Sequence, residues 1–345
     1  LAYFPKSKMA IKLLHKHKHK HKHNLIAECT NSIPTLNEFS HNWLKEMKPS
    51  WKQSYIDQVT RNLNNYILIQ FGNLNIADIT KSMVLMFRSD LTQMTNAVGK
   101  FKHPLAPATV NKIITLLRTI VEEASLRFEI EFKLTHIKPL KGIRPDVQPL
   151  SLHEIAQFLE LVRPDFKEYF ITRFFTAMRS GEVHGLQWKH IDFANKKIII
   201  EQAYGEYGIT TPKNEHAYRE IQICQVVFDA LKIQQKRSTH KNQQKKSTHK
   251  NGYVFSNNLG NPISTNAVNE KIWKPTLKCL GLQERRVYQT RHTAATLWLA
   301  AGENPEWIAR QLGHSNAQML FRIYSRYIPN ALRTDGQAFN KLIEA

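Results

Sequence analysis

Arg179, Lys213, Arg291, His314 and Tyr324 are the side chains of this chain best suited to acting together, and each stands in a distinctive short context. Arg179 lies in TAMRSGEVHGLQW, Lys213 in TTPKNEHAYREI and Arg291 in YQTRHTAATLWLAAG, while LGHSNAQMLFRIYSRY carries both His314 and Tyr324. Two guanidinium forks, an ammonium and an imidazole can surround one phosphate, because all of them donate hydrogen bonds. A phenol placed behind that phosphate can attack it. Such a set could break and rejoin a phosphodiester without a metal ion or a nucleotide.

Taken singly, none is decisive. Arg179 precedes Ser180-Gly181-Glu182, a sequence that can open a helix, so its side chain would lie beside free backbone N–H groups and suit an anion. A lone arginine near a helix cap is otherwise ordinary. Glu182 falls in that first turn, where the helix dipole alone favours a carboxylate. Lys213 lies in the turn-rich run Thr211-Pro212-Lys213-Asn214, where lysines are usually just solvated, and Lys196 and Lys197 compete with it. His314 after Gly313 suits a helix cap as well as an anion contact. Tyr324 and Tyr327 would share nearly one face of a helix, so geometry alone does not separate them.

In their order and contexts these segments resemble the tyrosine recombinase (phage integrase) family over about Ser151 to Tyr327. The resemblance implies that Tyr324 attacks a DNA phosphate, giving a 3′-phosphotyrosyl bond and a free 5′-hydroxyl. Arg179, Arg291 and His314 would stabilise charge on phosphorus, and Lys213 would protonate the leaving 5′ oxygen. That last task needs an ammonium that can lose a proton. Glu182 stands where the family carries an acid and would orient Arg179. Family spacing favours Tyr324 over Tyr327, although Tyr324 falls ten residues after His314, one more than the familiar interval.

The chain departs from the family pattern His-x-x-Arg at Tyr288, which stands where a histidine is expected. Its hydroxyl can hydrogen-bond a phosphate oxygen, but a reference pKa of about 10 makes it a poor base at neutral pH. His292, beside Arg291, is expected to point elsewhere on the helix and to be structural. By resemblance no cofactor is required and the partner is double-stranded DNA. Four subunits would exchange strands at two recombination sites through a Holliday junction, with accessory DNA-bending or directionality proteins. The implied setting is integration and excision of a prophage or genomic island, in the bacterial cytoplasm at the nucleoid. Two other readings stay open: a type IB topoisomerase, which uses the same chemistry as a monomer, and a DNA-binding protein whose pocket has decayed.

Composition sets the class of partner. The 345-residue chain has a formal net charge of +21, which repels itself unless it meets a polyanion, and nucleic acid is the usual one. An anionic membrane surface or ribosomal RNA would satisfy the same excess. No apolar run approaches the roughly 20 residues of a membrane span, and no apolar stretch of a secretory signal follows the basic start. Cys29, Cys224 and Cys279 are scattered, which fits neither a disulfide framework nor a CxxC metal site; they read as buried or incidental thiols of a reducing cytoplasm. The chain opens on Leu1 and not methionine, which fits an unusual start codon or a start upstream of Leu1.

The elements that must position these groups form a mainly α fold with a small antiparallel β-sheet. Residues 1–33 read as a basic, disordered tail that includes the alternating run from His15 to His23, with DNA contact or metal capture as lesser options. Residues 34–140 carry apolar stripes at helical spacing, and the resemblance makes them a helical core-binding domain that closes over DNA. Within it, Ser50 is the expected N-cap for Trp51, Tyr55, Val59, Leu63 and Ile67; Ile76–Leu91 is a further segment; Pro107 opens a helix carrying Val110, Ile113 and Leu117.

Residues 141–150 read as a linker and 151–345 as the tyrosine-recombinase-like catalytic domain, opened by a capping box at Ser151 and Glu154. Ile191–Phe193 and Lys197–Glu201 read as a hairpin, Ile221–Cys224 and Tyr253–Phe255 as strands, and 264–280, 290–301, 304–312 and 316–326 as helices. Within 235–251 the unit STHKN begins at Ser238 and again at Ser247, a duplicated polar loop or one lying along phosphate backbone.

Overall fold

The computed structural model describes residues 33–93, 104–142, 147–210, 218–244, 252–324 and 343, and the chain divides into two units, Leu1–Arg144 and Pro145–Ala345. In the first, α1 (Leu36–Met47) starts where Thr35 and Glu38 cap each other. The Thr35 hydroxyl accepts the Glu38 N–H at 3.3 Å and the Glu38 carboxylate accepts the Thr35 N–H at 2.9 Å. α2 (Gln53–Asn62) runs through a π turn (Leu63–Ile67) into α3 (Leu68–Phe71), and α4 (Lys81–Gln93) and α5 (Pro107–Phe128) follow. Their inward faces, with Leu36, Ile67, Phe71, Val84, Ile113 and Leu117 inaccessible to solvent, build one apolar core.

Two expectations for this unit are corrected. Ser50 ends a 3-10 turn (Lys48–Ser50), where its hydroxyl donates to the Met47 carbonyl at 2.8 Å, and Lys52 is the N-cap of α2. Extended backbone at Trp51 interrupts the helix between them. The face of α2 that is buried carries Ile56 and Val59, not Tyr55, and the π turn brings Leu63 and Ile67 back to the core. The segment Ile76–Leu91 is likewise broken: Asn75 caps a short turn (Ile76–Asp78), Ile79 is extended, and α4 starts at Lys81.

The second unit opens with α6 (Leu152–Leu161), whose Ser151 and Glu154 form the same reciprocal cap. α7 (Lys167–Thr176) and α8 (Ser180–His184) lead to β1 (Ile191–Asp192), β2 (Lys197–Ile200), β3 (Ala203–Gly205), β4 (Gly208–Thr210) and β5 (Arg219–Gln222). Strands β1, β2 and β5 form one antiparallel sheet in that order, with Ile198 opposite both Ile191 and Ile221, while β3 and β4 pair separately. Then come α9 (Gln225–Gln244), α10 (Thr265–Val268) continued through a π turn (Asn269–Trp273) into α11 (Lys274–Cys279), and finally α12 (Gln289–Ala300), α13 (Pro305–Leu312) and α14 (Ala317–Tyr324). Phe158, Tyr169, Phe170, Phe174 and Trp273 centre the main core; a smaller cluster joins Ala177, Ala295, Leu299, Leu312, Leu320 and Tyr324.

Here too the structure adjusts the reading. β5 begins two residues before the expected Ile221, because Ile221 must face inward across from Ile198. The β3–β4 ribbon was not foreseen. Tyr253–Phe255 is not a strand but a single bridge of Tyr253 to Gln187, with the Val254 N–H on the Leu186 carbonyl. α9 reaches Gln244, so residues 235–244 are helical and not loop. Gln, Lys and Arg there are good helix formers, and the Ser238 hydroxyl bonds back to the Gln234 carbonyl at 2.9 Å. Cys224 and Cys279 are exposed and unpaired rather than buried. Among the described residues no helix is long and apolar enough to cross a membrane. The histidine run, Cys29, Lys213, Tyr327 and the second STHKN copy lie outside the described residues.

Candidate active site

A fully buried arginine builds the frame of the site. Arg173 of α7 donates to the Tyr169 hydroxyl at 3.0 Å, the Ser180 hydroxyl at 3.0 Å, the Thr290 hydroxyl at 3.2 Å and the Val287 carbonyl at 3.3 Å. It therefore fastens the start of α8, which carries Glu182, to the start of α12, which carries Arg291. α7 itself ends at Ala177 in a left-handed conformation (φ 54°), and that bend delivers Arg179 to the head of α8.

Glu182 organises two guanidinium groups. Its carboxylate accepts from the Arg179 N–H at 2.8 Å and from Arg179 Nη1 at 2.8 Å, and from Arg219 Nη1 and Nη2 at 3.0 and 2.8 Å. Arg219 on β5 also donates through Nε to the Gln311 carbonyl at 2.7 Å. Burial alone would raise the Glu182 carboxyl, but the Arg219 fork, helped by Arg179 and Arg291, holds it down to about 2.

The turn after α13 is where the cations converge. Gly313 takes a left-handed conformation (φ 64°), the His314 N–H reaches back to the Ala309 carbonyl at 2.9 Å, and the end of α13 is closed in a Schellman arrangement. Arg179 Nη2 donates to the Gly313 carbonyl at 3.2 Å, and Arg291 Nη2 to the neighbouring Leu312 carbonyl. Arg291 Nη1 holds the Ala177 carbonyl at 2.7 Å, and Nη2 also lies 3.4 Å from His314 Nε2. Burial pulls the Arg291 guanidinium down to about 10, so it stays charged at neutral pH. With Nε2 facing a donor, the His314 proton belongs on Nδ1, a buried atom with no hydrogen-bond partner in the structure. Burial, then Arg291, Arg179 and Arg219, hold this imidazole down to about 4, hence neutral.

Tyr324, on the last turn of α14, is 1% exposed. Its hydroxyl meets His292 Nδ1 at 2.8 Å, and burial raises its pKa above the ordinary phenol value against the pull of Arg291. His292, expected to point elsewhere than Arg291 and to be structural, meets the phenol. Tyr288 sits one turn earlier on the same helix, 40% exposed, with its ring 5.2 Å from that of His292.

The structure thus brings together Arg179, Glu182, Arg291, His314 and Tyr324. Of the competitors to Lys213, Lys197 pairs with Glu220 at 2.7 Å and Lys196 donates to Gln225 at 2.8 Å. Sequence reasoning missed Arg219, Arg173 and the contact of His292. Arg219 carried one signal, an arginine two residues before the core position Ile221 and thus on the same face of an alternating strand. The His292 contact had none, because it depends on how α14 folds back onto α12.

The family model described as phage integrase family matches residues 150–330, and one described as phage integrase, N-terminal SAM-like domain matches residues 35–91. The prophage integrase IntR of Escherichia coli (strain K12) is 25% identical over 332 residues, which span 87% of this chain and 78% of that protein. Among solved structures, the Tn1549 transposon integrase in complex with a circular intermediate DNA superposes with a TM-score of 0.70 at 17% identity, over 90% of this chain and 99% of that one. A lambda integrase tetramer bound to a Holliday junction gives 0.62 at 13% identity, over 94% and 88%. The chain belongs to the phage integrase family. It is a site-specific recombinase of the tyrosine type.

Proposed function

We propose that this recombinase cuts and rejoins double-stranded DNA through a 3′-phosphotyrosyl intermediate formed on Tyr324. One observation carries the reading: Arg179, Arg291 and His314 meet at the turn 312–314, and the Tyr324 hydroxyl lies against the residue that follows Arg291. A phosphodiester entering there exchanges the neutral carbonyls now held by the arginines for charged oxygens, a stronger acceptor. The phenol oxygen attacks phosphorus in line, the bond to the 5′ oxygen breaks, and Lys213 supplies that oxygen with a proton. Glu182 keeps the Arg179 fork in register, and the Tyr288 hydroxyl contributes a hydrogen bond to a phosphate oxygen. Catalysis is positioning plus electrostatics, and the covalent bond conserves the energy for religation.

The net charge of +21 suits wrapping of a duplex. The DNA complexes of the Tn1549 integrase and the tetramer of lambda integrase on a Holliday junction support four subunits acting on two recombination sites. The match to a prophage integrase supports integration and excision of a prophage or genomic island; on this reading the recombinase works in the cytoplasm at the nucleoid, with accessory DNA-bending or directionality proteins. The test is a nicked suicide substrate, on which a recombinase is trapped as a covalent adduct. Tyr324→Phe is expected to abolish the adduct and retain DNA binding. An adduct that persists transfers the nucleophile to Tyr327, and relaxation of plasmid by a monomer without site dependence favours a topoisomerase.

A further inference from the structure

We infer that His292 is the base that takes the proton of Tyr324, a post the family pattern assigns to the position Tyr288 occupies. The inference rests on Tyr324 being the nucleophile, and it starts from the problem that Tyr288 leaves. A phenol attacks phosphorus only as its proton departs, and a tyrosine at 288 is a poor acceptor for it. Tyr288, the N-cap of α12, and His292 within the helix are one turn apart on the same face. The imidazole absent from the first is thus supplied at the second. Its Nδ1 lies 2.8 Å from the Tyr324 oxygen, within the reach required of a general base. The Tyr288 ring packs edge-on against it at 5.2 Å and fills the place one turn back.

For the phenol O–H to donate to Nδ1, as this role requires, the imidazole proton sits on Nε2. The titratable and charged groups around the ring are Tyr288 and Arg291 on its own helix, His314 from the turn after α13, and Tyr324 from α14; α7 brings Arg173 only as far as Thr290. Among the described residues no carboxylate contributes to its shift. Burial and Arg291 hold His292 down to about 4, so at neutral pH it is free to accept. The proton balance closes. As the bond from Tyr324 oxygen to phosphorus forms, the phenol proton passes to Nδ1 and His292 becomes imidazolium beside the developing negative charge. The 5′ oxygen leaves with its own proton from Lys213. In religation the 5′-hydroxyl attacks and gives its proton to Lys213, Tyr324 departs, and His292 returns the proton to it.

The experiment compares rates of covalent adduct formation on the nicked substrate at saturating DNA. His292→Asn keeps an acceptor near the position of Nδ1 but cannot take a proton, so it separates proton transfer from mere positioning. The expected result is an adduct rate at least 100-fold below the parent with unchanged DNA affinity. The acid limb of the parent's pH–rate profile should also vanish in the variant. Added imidazole should restore part of the rate to His292→Ala. Asparagine cleaving within threefold of the parent with its acid limb intact overturns the assignment. So does a parent profile with no acid limb, which needs no variant and decides the matter if both substitutions prevent folding. A wrong nucleophile shows itself separately, as an adduct surviving Tyr324→Phe.

Discussion

Arg179 and Arg291 reach the same turn from opposite surroundings. Arg179 has 32% of its side chain exposed and a carboxylate, Glu182, to balance its charge. Arg291 is 1% exposed, and among the described residues no hydrogen bond or ion pair joins it to a carboxylate; the carbonyls of Ala177 and Leu312 take its donors. A buried cation held only by neutral acceptors costs several kcal/mol relative to water. Among the described residues, the guanidiniums of Arg179 and Arg219 bond to one carboxylate, Glu182, Arg291 acts on it from further off, and His314 stays neutral. One arginine is an addition at the rim, and the other is both a charge and a structural tie.

The largest effects should divide these two roles. Arg291→Ala removes the tie between the end of α7 and the turn after α13, leaving two buried carbonyls unpaired at about 1–3 kcal/mol each. It should abolish adduct formation and lower the urea midpoint of the chain. Arg179→Ala should slow adduct formation by about 10²–10³, the usual consequence of losing one donor to a developing oxyanion. Its midpoint should change little, since Arg219 still grips Glu182 through two bonds. Equal midpoint shifts in the two variants would erase the distinction between rim and interior.

A smaller, pH-dependent effect sharpens it. The Glu182 carboxyl is depressed from 4.5 to about 2, so its ionised form stabilises the fold. That contribution, of order 3 kcal/mol, is complete above about pH 4.5 and is lost as pH falls toward 2. His292 and His314 behave otherwise. Their pKa values are depressed from 6.5 to about 4, so the unfolded chain binds their protons first and stability declines as pH falls from 6.5 to 4. Urea unfolding of Glu182→Gln beside the parent should show a constant gap between pH 7 and 5 that narrows below 4.5. A gap already closing at pH 6 would mean that the histidines, and not the carboxylate, hold the arginines.

Legibility in the sequence followed the same divide. Arg179, Glu182, Arg291, His314 and Tyr324 stood in local contexts, so residue types and order sufficed to gather them. What joins them was not readable, because it is made by backbone. The Leu312 and Gly313 carbonyls and the Ala177 bend carry no side-chain signature. Helical periodicity likewise placed α5 and α12–α14, whose apolar faces meet a core. It failed at Trp51 and Ile79, where extended backbone resets the phase, and on α9, where polar residues continue a helix that an apolar stretch begins.

The smallest expected effect concerns the two reciprocal caps, Thr35 with Glu38 in one unit and Ser151 with Glu154 in the other. Thr35→Ala and Ser151→Ala should each cost about 1 kcal/mol, and thermal unfolding would register both. Their consequences for the reaction should differ. Thr35 belongs to the first unit and the site to the second. The segment leading into Ser151, by contrast, is bonded to the helix of Arg291, the Gln148 N–H to the Gln289 side chain at 3.1 Å and the Leu150 N–H to the Thr293 hydroxyl at 3.0 Å. Loosening the second cap should therefore reach α12 and slow adduct formation by a few-fold, while loosening the first leaves the rate alone. Equal rates in both variants would mean that Arg173 and the Ala177 carbonyl alone fix α12, and that the strap before α6 merely rests on it.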